Sequence, residues 1–487
     1  VDPRLRTTLA TLAASLAAFY LGWQVAEGAY ALPMLVAAGI CAMVLVRLTG
    51  LPADTIFTGL LLVGYLVGNR GFAQFMPVPG VPLLPAEAGL LLAGSWRGIQ
   101  CAFERRLPFR PDALNWAVLA WAVAGTARLP FDVPRYGFLA LRDYATVYYA
   151  AFFFLVQDMA GESPAARRYL LGCLLAGLLA LAPTFLLFQY FPEVFLTQLT
   201  FAQTPLIYLK GDLAVTFLAV GALLTFHWAA DHRRLWTWPA AAGMLLLLFS
   251  GGNRASMLGA LVAAGLLLLA GRWRFPAFLG AIGGGALLVL LCLALATGNQ
   301  WAERRLHSLA DQARSVLDVS GERRYESEDS FNKGDNNRFR LLWWRNVVLE
   351  TWETNPVFGL GFGADLARGF VQEYYADSAE EFTTRSPHNV FLTMFGRTGA
   401  VGLGLWLGLC GVLLTRTWRT LRESADPVQW SLACAPLVIL ASATFGVVLE
   451  GPMGAVVFWG VLGLAHAVPR HAEATPPVLA AAPAAAT

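Results

Sequence analysis

Ser386-Pro387-His388-Asn389-Val390-Phe391-Leu392 is where a long polar segment of this chain runs back into apolar sequence. Ser386 is a good helix N-cap and Pro387 suits a first helical position, so a helix is predicted to start here with His388 in its first turn. Backbone N–H groups in a first turn lack intrahelical partners, and the helix dipole adds roughly half a positive charge beside them. That field disfavours imidazolium and favours anions, so His388 is expected to stay neutral as a base next to a bound phosphate. The plainer reading is a capping-turn histidine that satisfies a local hydrogen bond.

Working outward, the chain has 487 residues, 57% hydrophobic and 14% charged. A soluble domain cannot hide that much apolar side chain, which makes this an all-α polytopic membrane protein. The net charge of +3 says little about partners, because where the charges sit matters more than their sum, and nothing points to nucleic acid. Cys41, Cys101, Cys173, Cys292, Cys410 and Cys434 lie far apart in apolar runs, with neither metal-ligand nor disulfide spacing. The run 7–25 resembles a secretory signal, but the many runs after it make a first transmembrane helix the better reading.

Hydropathy marks eleven apolar runs before residue 298 and three after residue 398, which predicts 12–14 transmembrane helices. With the N-terminus inside, the cytoplasmic short loops collect seventeen arginines, whereas the opposite short loops hold only Arg70, Arg128, Arg135, Arg142, Lys210 and Arg254. This asymmetry follows the positive-inside rule and puts both termini in the cytoplasm. The long loop from about Gly298 to Arg385 then lies outside. Its first part, Trp301 to Val319, has the spacing of an amphipathic surface helix. Gly321 to Asn337 is charged and reads as flexible, and a second helix is expected from Asp335 or Asn336 to Thr354, with Arg340, Trp344, Val347 and Thr351 on one face. The turn Gly359 to Gly363 and a short helix from Ala364 to Tyr375 follow; the Ala/Pro-rich tail after His471 reads as disordered.

Ser250-Gly251-Gly252-Asn253-Arg254 separates two apolar runs, so Arg254 is expected at the outer membrane edge. An arginine there is costly unless it snorkels, caps a helix or binds something, and the adjacent glycines let a ligand approach. Arg340 competes with Arg338 and Arg345 for the same role. Lys210 and Asp212 flank an outer helix start and read chiefly as an ion pair; Glu450 is either a second base or the partner of an outer arginine. The glycine turn is only loosely like a phosphate loop, with no strand before it and no Gly-Lys-Ser/Thr after it. No His/Asp/Glu cluster has metal spacing, which favours chemistry with no metal and no cofactor.

The motifs Ser250 to Arg254, Arg340 with Trp344, Asn355-Pro356-Val357-Phe358-Gly359-Leu360-Gly361, and Pro387-His388-Asn389 with Leu392 and Gly399, in that order across a long outer loop, resemble the bacterial O-antigen ligase family. That superfamily also contains O-antigen polymerases and protein O-oligosaccharyltransferases. The likeness covers topology along most of the chain, while its specific motifs occupy about residues 250 to 400. It implies a multi-pass inner-membrane glycosyltransferase whose active site faces the periplasm. The donor would be an undecaprenyl-diphosphate-linked glycan, the acceptor lipid A–core, and the surroundings membrane lipid. Carried across, His388 matches the family's catalytic histidine, and Arg254 and Arg340 match arginines that hold the donor diphosphate. Arg338, Asn389, Lys210 and Glu450 are secondary candidates. The Ser-Gly-Gly-Asn-Arg spacing departs from the commoner Ser-x-Ser-Arg form, which bears on which arginine is meant. A lipid-linked glycan transporter is the alternative of another class; it calls for internal repeats or half-helices near the midplane, and neither is evident.

The chain is thus expected to divide into an N-terminal transmembrane bundle (1–297), a long, largely helical periplasmic loop or lid carrying active-site residues (298–387), C-terminal transmembrane helices (388–470) and a cytoplasmic tail (471–487).

Overall fold

A computed structural model describes residues 3–27, 31–76, 83–107, 109–201, 203–232, 237–317, 328–374 and 385–468. The tail expected from 471, and the part of the expected flexible stretch at 321–327, lie outside these residues. The described residues are almost entirely helical; the one strand pair is a two-residue antiparallel hairpin, Thr200–Phe201 with Thr204–Pro205.

Five helices are long and apolar enough to cross a membrane: Phe138–Glu162, Pro164–Tyr190, Gly211–Ala229, Arg274–Thr297 and Val390–Glu423. Gly39–Thr49 and Ala53–Val67, bent by 116° against each other, form either a sixth, broken span or a re-entrant loop. Six shorter apolar helices of 10–17 residues fall where other runs were read, so the expected 12–14 is reached only if these cross as well. The run at 83–101 is interrupted by a π-helical turn at Leu90–Gly94, between the helices Pro85–Gly89 and Ser95–Phe103. The protein is an all-α, multi-pass membrane protein.

Local chemistry sets many of the helix starts. The Asp112 carboxylate accepts from Leu114 N and Asn115 N, Ser163 caps a helix opened by Pro164, and Asp426 caps one opened by Pro427. In the bundle, the helix Gly211–His232 packs against Pro164–Tyr190, Thr237–Ser250, Arg254–Leu269 and Pro427–Ala443. Three tryptophans from three helices, Trp121, Trp406 and Trp459, pack with ring centroids 5.0 to 6.3 Å apart and close the core on another side. Backbones approach closely where side chains are small: a Cβ on Gly463 would lie 2.5 Å from the Phe153 carbonyl oxygen.

The long loop is better anchored than the sequence suggests. The helix expected from Asp335 begins at Glu328 and runs to Thr354, so residues 328–337, read as flexible, are helical. The short helix after the glycine turn is Arg368–Tyr374, starting four residues later than expected. Trp343, Val347, Leu360, Leu366 and Phe370 form a small core of their own, with Tyr136 packed against it. Trp343 stacks on Phe370 at 5.3 Å and donates its indole N–H to the Leu366 carbonyl at 2.7 Å.

Candidate active site

The site is assembled from four segments distant in sequence. Lys210 and Asp212 open the helix Gly211–His232, and Arg254 is the first residue of Arg254–Leu269, behind its N-cap Asn253. Arg340 lies on Glu328–Thr354, and His388 just precedes Val390–Glu423. Buried hydroxyls pin the first two segments together: Thr216 Oγ1 lies 2.8 Å from Ser256 Oγ, and Ser256 Oγ donates to the Asp212 carbonyl at 3.2 Å. Arg305, on the helix Gln300–Leu317, donates to the Ser250 carbonyl at 3.1 Å and so holds the turn before Arg254.

The start of the last helix differs from expectation. Asn389, not Ser386, is the N-cap: its side chain accepts from Phe391 N at 2.9 Å and Leu392 N at 3.1 Å. Ser386 is drawn elsewhere, because its hydroxyl donates to Glu450, which also accepts from Thr393 at 2.9 Å. His388 therefore sits before the cap, outside the first turn, with φ of +54°, a left-handed conformation that residues other than glycine seldom adopt. The flanks hold it there: Trp344 donates to the Pro387 carbonyl at 2.8 Å on one side, and Asn389 caps the helix on the other.

The imidazole of His388 packs 5.5 Å from the Trp343 ring, and among the described residues none hydrogen-bonds it. Burial pushes its pKa down to about 4; Arg340 and Lys210 push the same way, and Asp212 pulls weakly against them. Burial also holds the Arg340 guanidinium below its usual range, helped by the charge of Arg254 and opposed by Asp212. Arg340 forms no ion pair among the described residues, and its Nε is buried without a hydrogen-bond partner. The site is thus a desolvated, cation-rich cluster beside a histidine whose surroundings favour the neutral form.

Of the residues singled out from the sequence, the structure brings Arg340 and Lys210 within electrostatic reach of His388, and Arg254 within reach of Arg340. Arg338 and Arg345 are exposed, on other faces of the same helix as Arg340. Lys210 pairs with Asp212 at 3.3 Å and also donates to the Val447 carbonyl at 2.8 Å. Asn389 is occupied as a cap, and among the described residues Glu450 pairs with hydroxyls, not with an arginine.

The glycine turn is not an anion cradle. Phe362 N donates to Asp132 at 2.8 Å and Gly363 N to Asp143 at 3.1 Å, so carboxylates already occupy its N–H groups. Gly361, at φ of +102°, lets the chain pass so close that a Cβ would lie 2.4 Å from Asp132 Oδ1. Sequence reasoning missed Asp132 and Asp143, and took Asp212 only as a partner for Lys210. The available signal was a carboxylate inside or at the edge of an apolar run, which is costly unless it has work to do.

Residues 239–407 match the family model described as O-antigen ligase. The match contains Arg254, Arg340 and His388, and leaves out Lys210, Asp212, Asp143 and Glu450. No curated protein matches the chain. The matched segment, about a third of the chain, spans the long-loop helices and the start of the helix Val390–Glu423, and over that segment this multi-pass membrane protein is similar to the O-antigen ligase family.

Proposed function

We propose that this protein is an O-antigen ligase. It would transfer a glycan from undecaprenyl diphosphate to a hydroxyl of lipid A–core oligosaccharide, at the periplasmic face of the bacterial inner membrane, with no metal required. The family indicates activity of the O-antigen ligase or polymerase type, on a lipid-linked glycan and a lipid acceptor in general. The observation that supports the finer reading is the convergence of Arg340 and Lys210 on a buried histidine, with Arg254 beside Arg340 and the Arg340 guanidinium left unpaired by carboxylates among the described residues.

In this mechanism the acceptor oxygen attacks the anomeric carbon and its proton passes to the His388 imidazole. The bond from that carbon to the diphosphate oxygen breaks, and the anomeric centre inverts. The leaving undecaprenyl diphosphate gains negative charge, which Arg254 and Arg340 stabilise by forked, charge-assisted hydrogen bonds. A histidine at about 4 is neutral at pH 7 but a weak base. Arrival of the diphosphate offsets the field of Arg340 and Lys210, which raises the imidazole pKa and makes His388 a better base once the donor is bound. The outer-loop segment would then act as a lid over the sugar, and apolar helix surfaces would hold the polyprenyl tail.

The test is an in vitro transfer assay with purified protein, undecaprenyl-diphosphate-linked glycan and rough lipopolysaccharide, in EDTA, with His388→Ala alongside. Extended lipopolysaccharide formed only by the parent protein supports the reading. Lengthening of the donor glycan with lipopolysaccharide untouched identifies a polymerase, and modification of a pilin-like acceptor identifies a protein O-oligosaccharyltransferase.

A further inference from the structure

A cleft of about 250 Å³ lies beside the histidine segment, lined by Arg142, Asp143, Arg385, Ser386, Arg397 and Glu450. That is the liquid volume of about eight waters, enough for one sugar ring. Its charges do not balance. Asp143 is shared by three guanidiniums: Arg397 at 2.6 Å, Arg142 at 3.3 Å and Arg385 at 3.9 Å. It also accepts from Gly363 N. Glu450, the other carboxylate, is taken by the hydroxyls of Ser386 and Thr393.

Arg397 has a side chain only 3% exposed, yet its Nε has no hydrogen-bond partner, and Nη1 of Arg385 is likewise buried without one. A buried guanidinium with unmet donors is costly, and an anion in the cleft would meet them. The cleft also adjoins the proposed catalytic site through two links. Ser386 lines it two residues before His388, and Val447, another lining residue, accepts from Lys210 Nζ.

We propose that this cleft is a second anion subsite, which takes a negatively charged substituent, a carboxylate or a phosphate, on a sugar of the transferred glycan or of the acceptor. Arg385 and Arg397 would hold the anion, and Arg142 would close over it from the more exposed side. The assignment of the sugar to glycan or acceptor rests on the glycosyl-transfer reading above; the anion subsite itself does not.

Two measurements test it. First, binding of glucose 6-phosphate, galacturonate and glucose to the purified full-length protein is compared with binding to Arg385→Gln and to Arg340→Gln, each checked for an unchanged melting transition. Arg142→Gln replaces Arg385→Gln if the latter does not fold. The expected result is that the two anionic sugars bind and glucose does not, that Arg385→Gln weakens them at least about tenfold, and that Arg340→Gln weakens them clearly less than Arg385→Gln does. Equal binding of glucose, no binding of either anionic probe, an unchanged affinity in Arg385→Gln, or an equal loss in Arg340→Gln overturns the subsite.

Second, KM is measured in the transfer assay with phosphorylated and dephosphorylated acceptor and with acidic and neutral donor glycan. A rise in Arg385→Gln confined to the phosphorylated acceptor places the anion there, and a rise confined to the acidic donor places it on the glycan. Unchanged KM for both overturns the proposal. Probe binding that depends on Arg385, in a protein that transfers nothing to any acceptor, rejects the ligase reading and leaves the subsite standing.

Discussion

The helix Ala53–Val67 is about 22 Å long and connects two regions that handle charge in opposite ways. At its start, Asp54 meets Arg97, which also pairs with Glu162 and Asp158, while Arg106 pairs with Asp158 and Glu104. Just past its end, the Asn69 carboxamide accepts from Lys210 N, and from there the cations run on through Lys210 to Arg340 and Arg254. In the first region carboxylates outnumber arginines and each arginine is matched. In the second, arginines outnumber carboxylates and buried N–H groups remain unmet. A matched buried pair is the signature of architecture, because removing one member strands the other. An unmatched buried cation persists only where something else supplies the anion.

Breaking the two regions in turn separates these roles. His388→Ala is expected to slow glycan transfer by about 10²–10⁴-fold with donor binding retained, measured as transfer rate against donor affinity; a parent-like rate would remove histidine from the mechanism. Arg97→Ala is expected to destabilise the protein by about 3–5 kcal/mol, read as a fall in melting temperature, because Asp54 and Glu162 lose their shared partner. Arg340→Ala should do the reverse: transfer falls about 10²–10³-fold while the melting temperature holds or rises. Arg340→Lys should recover only part of the activity, since an ammonium offers a point charge without the fork.

The smallest effect is on pH dependence. With His388 at about 4, the acid limb of kcat/KM lies well below the ordinary histidine range. Removing the cation in Arg340→Gln makes imidazolium easier to form, so the pKa rises and the limb moves to higher pH, toward about 6.5. A limb that stays in place would mean that the field of Arg340 does not reach the base.

How much of this was legible depended on distance along the chain. The long apolar helices were readable because twenty-odd consecutive apolar residues have few other uses. Arg340 could be placed on one helical face with Trp344 and Val347 from a 3.6-residue period alone. The start of the last helix was misread because Ser386 and Asn389 are both good caps, and the choice between them is made by Glu450, distant in sequence. Asp143 with Arg397 was out of reach for the same reason: the pair is separated by 254 residues, and no local pattern announces it. The family match, too, stops short of Asp143 and Lys210, which the fold alone brings beside the matched residues.

The helix Arg274–Thr297 has only 11% of its most apolar stretch buried against the rest of the protein. Its 24 residues make a rod about 36 Å long, more than the roughly 30 Å of bilayer hydrocarbon. A rod longer than its slab leans, and the lean deepens as the slab thins. Its far end leads through Gly298 and Asn299 into the helix whose Arg305 holds the turn before Arg254. Acyl-chain length would then bear mechanically on the placement of Arg254, and reconstitution into lipids of graded thickness is where that lever would be felt.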